Sequence, residues 1–347
     1  MQNATPGRHG RLRPALLYPA GILLLLMSIS AAVSIGTVFV PMPVVWGVIA
    51  DRLLPGLVEQ DWSAGQEAII WNIRLPRSIL ACLVGAGLAA VGASLQAVTR
   101  NQLADPHLLG ISSGGAFGAV LALLHTGMFL GQLTVPLLSF LGAISATVIV
   151  LAVSRLAAAM SATRLVLAGV AVSFAVMSCA NLLIFLGDPR AAHTAVFWML
   201  GGLGLAQWSH LPVPVVGLVG CLVYFHLRSG ELNAVTLGDE TASTLGISVT
   251  RFRLSVFAAG ALLTGIMVAY SGIIGFVGLM MPHIARMLVG GDNARVIPAA
   301  ALSGAVFLVW ADIVSRSVVA PEDMPIGIIT GLVGGVFFIW LLRRRKY

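Results

Sequence analysis

Uninterrupted apolar runs of about twenty residues recur along the chain, separated by short stretches carrying Gly, Pro and charged side chains. Their hydrophobicity is continuous and rich in Leu, Val, Ala and Gly, without the period-two alternation of strands, so each run predicts a helix and the fold class is all-α. One polar island breaks the pattern, His226 to Arg253, reading HLRSGELNAVTLGDETASTLGISVTRFR. Within it Ser229 is placed to cap a short helix from Gly230 to Leu237, and Gly238 to end it. Asp239 is then placed to cap a second helix terminated by Gly246. Helices this short are marginal alone in water. Leu232, Val235, Ala242 and Leu245 give them a small apolar face, which requires either a partner or the chain's own membrane bundle beneath it.

Composition identifies the solvent. The 347 residues are 58% hydrophobic and 10% charged, with a mean hydropathy of +0.98, values of a polytopic helical membrane protein and not of a soluble domain. The net charge of +7 does not point to nucleic acid, because the basic residues sit singly at the ends of apolar runs. The exception is Arg343, Arg344, Arg345 and Lys346, which reads as a cytoplasmic terminus. Arg8, Arg11 and Arg13 precede an apolar stretch, Ala15 to Val40, that is too long for a signal h-region and is expected to be a retained first span. Cys82, Cys179 and Cys221 lie inside apolar runs and read as small hydrophobes.

Charge asymmetry counts the crossings. With the N-terminal trio, Arg100, Arg155, Arg164, Arg228, Arg251, Arg253, Arg286, Arg295 and the basic tail inside, 15 of 20 Lys and Arg are cytoplasmic, and the inner side carries +10 against −3 outside. Each interval between inner markers then holds two crossings, giving ten spans and both termini in the cytoplasm. Leu165 to Leu227 has 63 residues for two spans, so one segment, best placed at Arg190 to Ala206, is expected to lie on the outer surface. Leu254 to Ala285 has only 32, so one member of that pair must be short or broken, near Ile273 to Pro282.

No phosphate-binding loop is possible, because the sole lysine, Lys346, stands next to last. Hydrolase signatures are missing as well, and the acids fall in the loops except for Asp312, four residues before Arg316 and expected to form a local ion pair with it. Small residues at Gly85, Ala89 and Ala93, and at Gly327, Gly331 and Gly335, suit close helix packing within the chain or at a dimer seam.

These residues carry a resemblance. Arg74-Leu-Pro-Arg77, NQLADPHLLGISSGGAFG from Asn101, TRLVLAGVA from Thr163, LGDETASTLGI from Leu237, GFVGLMMPHIARMLVG from Gly275, WADIVSR from Trp310 and PIGIITGLVGGVFFIWLL from Pro325 occur in family order. Over four-fifths of its length the chain resembles the permease subunits of binding-protein-dependent ATP-binding-cassette importers (type II) for iron-siderophores, haem and vitamin B12. The first seventy residues match in hydropathy alone.

The resemblance implies one transmembrane domain over 1–347, with tails at 1–14 and 343–347, and a homodimer in the bacterial inner membrane. It also implies a coupling loop at 229–250 that meets two ATPase subunits, with Leu232, Val235, Leu237, Gly238, Asp239, Glu240, Ala242, Leu245 and Gly246 as coupling residues. Arg74, Arg77 and Arg316 would dock a periplasmic binding protein, and Ala162 and Thr163 would form a cytoplasmic gate. The chain itself would hold no cofactor, ATP and Mg being bound by the partner ATPase. Its expected cargo is an iron-siderophore or haem, with cobalamin second; a channel or secondary carrier is the alternative of another class. Gln102 in place of Pro, and Gly335-Val336 in place of Ala-Pro, depart from the family pattern.

Overall fold

The computed structural model describes residues 14–56, 58–156 and 162–344, and is helical throughout with no strand among them. In order the α-helices are α1 (Pro14–Ser34), α2 (Met42–Leu53), α3 (Ala64–Ala68), α4 (Leu75–Thr99), α5 (Ile111–Leu121), α6 (Thr134–Leu156), α7 (Ala162–Leu186) and α8 (Pro189–Met199). They continue as α9 (Pro212–Leu227), α10 (Ser229–Leu237), α11 (Asp239–Thr244), α12 (Val249–Ser271), α13 (Val277–Val289), α14 (Asn293–Ser317) and α15 (Ile326–Arg344). A π-helical turn, Ile69–Arg74, joins α3 to α4, so the two run on as one helix from Ala64 to Thr99. The basic trio Arg8, Arg11 and Arg13, most of the 1–14 tail, and Arg345 and Lys346 of the C-terminal tail lie outside the described residues.

Among the described residues, eight helices are long and apolar enough to cross a membrane: Leu16–Ser34, Ala64–Thr99, Gly131–Ser154, Leu167–Leu186, Trp208–Leu227, Val249–Ser271, Asn293–Ser317 and Ile326–Arg343. Two further apolar helices, Ile111–Thr126 and Val277–Val289, are shorter. The crowded interval between Leu165 and Leu227 contains the separate helix α8, 11 residues long, between α7 and α9. In the tight interval after Arg253 the chain breaks at 272–276, and α13 has only 13 residues.

α4 is the axis of the bundle. Most of its residues are buried, and it packs against α14, α12 and α13. It meets α14 backbone to backbone, where a Cβ on Gly85 would lie 2.2 Å from the Gly304 carbonyl oxygen and one on Gly304 would lie 2.6 Å from the Ala89 Cβ. Side chains are excluded there because the two backbones touch. The Gly85 stripe is therefore an intrachain contact. In the second stripe Gly327 behaves so, its Cβ position lying 2.2 Å from the Leu200 carbonyl oxygen, whereas Gly331 and Gly335 face no atom of the described residues within 4 Å.

Candidate functional site

The polar island folds as the two short helices α10 and α11, separated by Gly238 at φ +133°, a conformation that L side chains rarely adopt. Their caps differ from the expectation. Arg228 takes the N-cap position of α10 and Ser229 is already helical, while Gly238 takes that of α11. The Asp239 carboxylate instead accepts from Arg253 Nη2 at 3.2 and 3.3 Å and lies 3.3 Å from Arg100 Nη2. Two guanidinium groups offer charge-assisted bonds stronger than one with a backbone N–H. Gly246, at φ +79°, closes α11, where Ile247 N donates to the Ala242 carbonyl at 3.1 Å.

The island's apolar residues divide into two sets. Leu232, Val235 and Ala242 are fully buried within the chain's own core, α10 lying on α4 and α14. Leu237 and Leu245 are 75% and 65% exposed, and Glu240 and Gly246 are exposed beside them. Of the nine residues singled out here, three hold the helices down, and the exposed four point away from the bundle.

No local pattern along the chain marks the polar contact beneath α10. Asn233 Nδ2 donates to Asp292 Oδ1 at 2.8 Å, and Asn233 Oδ1 accepts from the Asn293 backbone N–H at 2.9 Å and from its side chain at 2.8 Å. Asp292 also caps α14, accepting from Ala294 N at 3.1 Å. Only that cap was local enough to read; the partner on α10 stands 59 positions away.

At the opposite end of α4 the three arginines converge inward. Arg77 Nε donates to Asp312 Oδ1 at 2.8 Å, and its Nη1 reaches Asp323. Arg316 Nε lies 3.0 Å from Asp312 Oδ2, the ion pair expected from their spacing, and its Nη2 donates to the Ala32 carbonyl at 3.0 Å. Arg74 has no carboxylate; its Nη1 donates to the carbonyls of Val33 and Ser34 at 2.8 and 2.9 Å, and Nη2 to that of Val38. All three are at most 7% exposed, and Asp312 is fully buried. The cluster fastens the end of α1 and the segment after it to α4 and α14.

Between these ends lies the break before α13. Gly272, at φ +66°, ends α12, and Phe276, at φ +69°, opens α13. The freed carbonyl of Ile274 is met by His107 Nε2 at 2.7 Å, while His107 Nδ1 faces the Ser112 hydroxyl. Backbone bonds close the other side: Gly202 N to the Ser271 carbonyl at 2.9 Å, Ile326 N to that of Gly201 at 2.9 Å, and Gly327 N to that of Leu200 at 3.1 Å. Nearby, a cavity of 620 Å³ opens among Gln132, Thr194, Trp198, Gln207, His210 and Tyr270. Ala162 and Thr163 open α7, and their side chains lie outside the described residues.

Comparison with known proteins places this architecture. A family model described as the FecCD transport family matches residues 23–344. The chain is 40% identical over 339 residues to an uncharacterized ABC transporter permease protein, YvrB, of Bacillus subtilis, covering 95% of this chain and 94% of that one. It is 35% identical to the hemin transport system permease protein HmuU of Yersinia pestis, covering 97% and 98%. With the vitamin B12 import system permease protein BtuC of Salmonella paratyphi A it shares 36% over 81% and 86%. Among solved structures, one described as an inward-facing conformation of a metal-chelate type ABC transporter matches with TM-score 0.81 and 30% identity, over 96% of this chain and 100% of that one.

Proposed function

The chain belongs to the FecCD transport family and is a multi-pass membrane permease of an ABC importer; from that premise we propose that its cargo is haem or another iron chelate, such as an iron-siderophore. The observation carrying this reading is the end-to-end match to a haem permease, 97% of this chain against 98% of the relative. Cobalamin is the second reading, favoured by a relative of similar identity over 81% of the chain. Permeases of this family are transport subunits whose ATP is hydrolysed in separate partner chains, and a binding protein delivers the cargo. The chain itself carries out no covalent chemistry, and ATP and Mg belong to the ATPase.

The working unit is a homodimer of ten-span subunits with two ATPase copies, in the bacterial inner membrane, with both termini cytoplasmic. Support for ten comes from the eight long helices together with the two short apolar ones, which satisfy the charge parity. The island end is then cytoplasmic and the arginine end periplasmic, with α8 on the outer surface. In this reading α10 and α11 are the coupling helices. Leu237, Glu240, Leu245 and Gly246 meet the ATPase, while Leu232, Val235, Gly238, Asp239 and Ala242 set their position. Docking of the binding protein is assigned to the arginine end, where Arg77 reaches the surface through Asp323, whose side chain is 37% exposed. Arg74 and Arg316 support that surface from below, and Ala162 and Thr163 remain the proposed gate at the head of α7.

The test is uptake into proteoliposomes holding the permease and its ATPase, with haem, a ferric siderophore and vitamin B12 each supplied on the binding protein. ATP-dependent uptake of haem or the ferric siderophore is expected. Uptake that continues without ATP or the ATPase would instead establish a channel or carrier, and uptake of vitamin B12 alone would transfer the cargo to cobalamin.

A further inference from the structure

We propose that Asn233, Asp292 and Asn293 form a rigid joint, so that α10 and the turn between α13 and α14 move as one body and carry the ATPase stroke directly into α13. The inference rests on the reading of the island as the coupling element, and it names where the stroke enters the membrane bundle. Asn233 uses both ends of its amide: the oxygen accepts two bonds from Asn293 and the nitrogen donates one to Asp292, all at 2.8 to 2.9 Å. Asn293 is 3% exposed and is the first residue of α14, so the buried side of the joint is continuous with a helix of 25 residues, while Asp292 at the N-cap has a side chain 43% exposed. Leu232 and Val235, on either side of Asn233, are fully buried. Three directional bonds and two buried side chains leave α10 no freedom to slide over the turn.

The second half of the island is held differently. Asp239 of α11 is tied to Arg100 and Arg253 at 3.2 to 3.3 Å, and its side chain and that of Arg100 are 43% and 47% exposed. Those ion pairs are screened by salt at their exposed edge, whereas the α10 joint is made of amide hydrogen bonds, two of them from the buried Asn293. With Gly238 between them, α11 can tilt while α10 stays fixed, so displacement passes through α10.

Beyond the joint, α13 is a short helix of about 20 Å, at ~1.5 Å per residue, with Pro282 in its interior. Along it, Gln96 of α4 donates to the Gly278 carbonyl at 3.1 Å and accepts from Arg286. At the far end Phe276 lies so close to α15 that a Cβ on Gly334 would be 2.3 Å from the ring's Cγ. A push on the turn therefore crosses the two-residue link Gly290-Gly291 into α13 and reaches α15 through a keyed contact.

A pair of cysteines tests the joint in the assembled importer. With Cys82, Cys179 and Cys221 replaced by serine, Asn233→Cys and Asn293→Cys are combined. Uptake of haem per ATP hydrolysed, with vitamin B12 as the second probe, is measured before and after disulfide formation. The reduced form, its amide bonds gone, is expected to lose at least fivefold in uptake per ATP while still co-purifying with the ATPase. The oxidised form, with the joint remade covalently, is expected to recover to within twofold of the serine-substituted parent.

Undiminished coupling in the reduced form, or loss on oxidation that reductant reverses, would overturn the proposal, the latter by showing that α10 and the turn must slide past each other. Should the double cysteine fail to assemble, Asn233→Asp with Asp292→Asn exchanges donor and acceptor between the two positions, keeping their mutual bond and the two bonds from Asn293 while giving up the cap on Ala294 N and the Arg295 ion pair. That pair is expected to keep parental coupling where Asn233→Asp alone does not, and failure of the pair to restore it would also overturn the joint. ATP-independent uptake by the unmodified transporter would count against the coupling reading itself and is seen in the parent before any variant is made.

Discussion

Arg77 and Asp312 meet at 2.8 Å across 235 positions of sequence, both buried, with Arg316 held by the second oxygen of the same carboxylate. One anion thus serves two cations. Removing a single member of a buried pair leaves an uncompensated charge and costs about 3–5 kcal/mol. Asp312→Ala takes the shared carboxylate from two guanidinium groups, leaving Arg77 only Asp323 and Arg316 only backbone carbonyls, so it is expected to lower the thermal unfolding midpoint of the purified permease more than Arg77→Ala does. The two substitutions together should cost less than their sum. Equal, additive shifts would show that Arg77 and Asp312 do not depend on each other.

The same geometry alters how a docking role for Arg77 is tested. Charge reversal at Arg74 and Arg77 would wreck the buried cluster first, and any loss of binding would follow from that. Asp323→Asn is the cleaner probe, since it releases Arg77 Nη1 at the exposed edge while leaving the Asp312 bond in place. If an acidic side chain of the binding protein engages Arg77, removing its internal competitor should tighten docking several-fold, measured by surface-immobilised permease in low salt. Unchanged affinity would remove Arg77 from the docking surface.

Leu237 and Leu232 lie on one short helix and predict opposite phenotypes. Leu237→Asp, at a side chain 75% exposed, is expected to leave the permease folded and to abolish co-purification with the ATPase, as is Leu245→Asp. Leu232→Asp buries a charge at a position with no exposure and is expected to prevent accumulation of folded protein altogether. Gel-filtration of detergent-solubilised variants, followed by pull-down with the ATPase, separates the two outcomes. Retained ATPase binding by both Leu237→Asp and Leu245→Asp would move the coupling surface elsewhere.

What the sequence disclosed was local. Apolar run length located the long helices, the shortage of residues after Arg253 located the break at 272–276, and glycines at 238 and 246 located the ends of α10 and α11. What it hid was direction. Hydropathy cannot distinguish a leucine facing lipid from one facing protein, so Leu232 and Leu237 read alike although one is buried and the other exposed. Nor could it choose Asp239's partners, because Arg253 competes from 14 positions away with the nearby backbone N–H groups. The Asn233 joint and the inward turn of the arginines rest on contacts between remote segments, for which spacing along the chain carries no signal.

Glycine positions sharpen that distinction. Gly304→Ala would press its methyl to 2.3 Å from the Gly85 carbonyl oxygen, against backbone that cannot yield, whereas Gly331→Ala meets nothing within 4 Å. The first is expected to reduce the yield of folded permease sharply and the second to leave it unchanged. A stable Gly304→Ala protein would show that α4 and α14 are free to separate.

Gly272 combines both constraints at the break itself. Its φ of +66° is strained for any L side chain, and a Cβ there would lie 2.1 Å from the Trp198 carbonyl oxygen. That carbonyl belongs to the segment leading into Gly201, whose own Cβ position is 2.5 Å from the Ile273 carbonyl oxygen. Between them run the bonds from Gly202 N to Ser271 and from Ile326 N to Gly201, so α8, α12 and α15 are locked at one crossing. Gly272→Ala must open this crossing, and the chain can relax only by shifting α8 or the start of α15. α10, α11 and the Asn233 joint lie at the opposite end of α12 and α13 and are untouched. The expected variant therefore assembles with the ATPase and hydrolyses ATP at the parental basal rate but transports several-fold less haem per ATP. Parental transport by Gly272→Ala would mean that this crossing is not part of the moving path. Loss of ATPase assembly would mean that the two ends of the bundle are coupled through the fold itself.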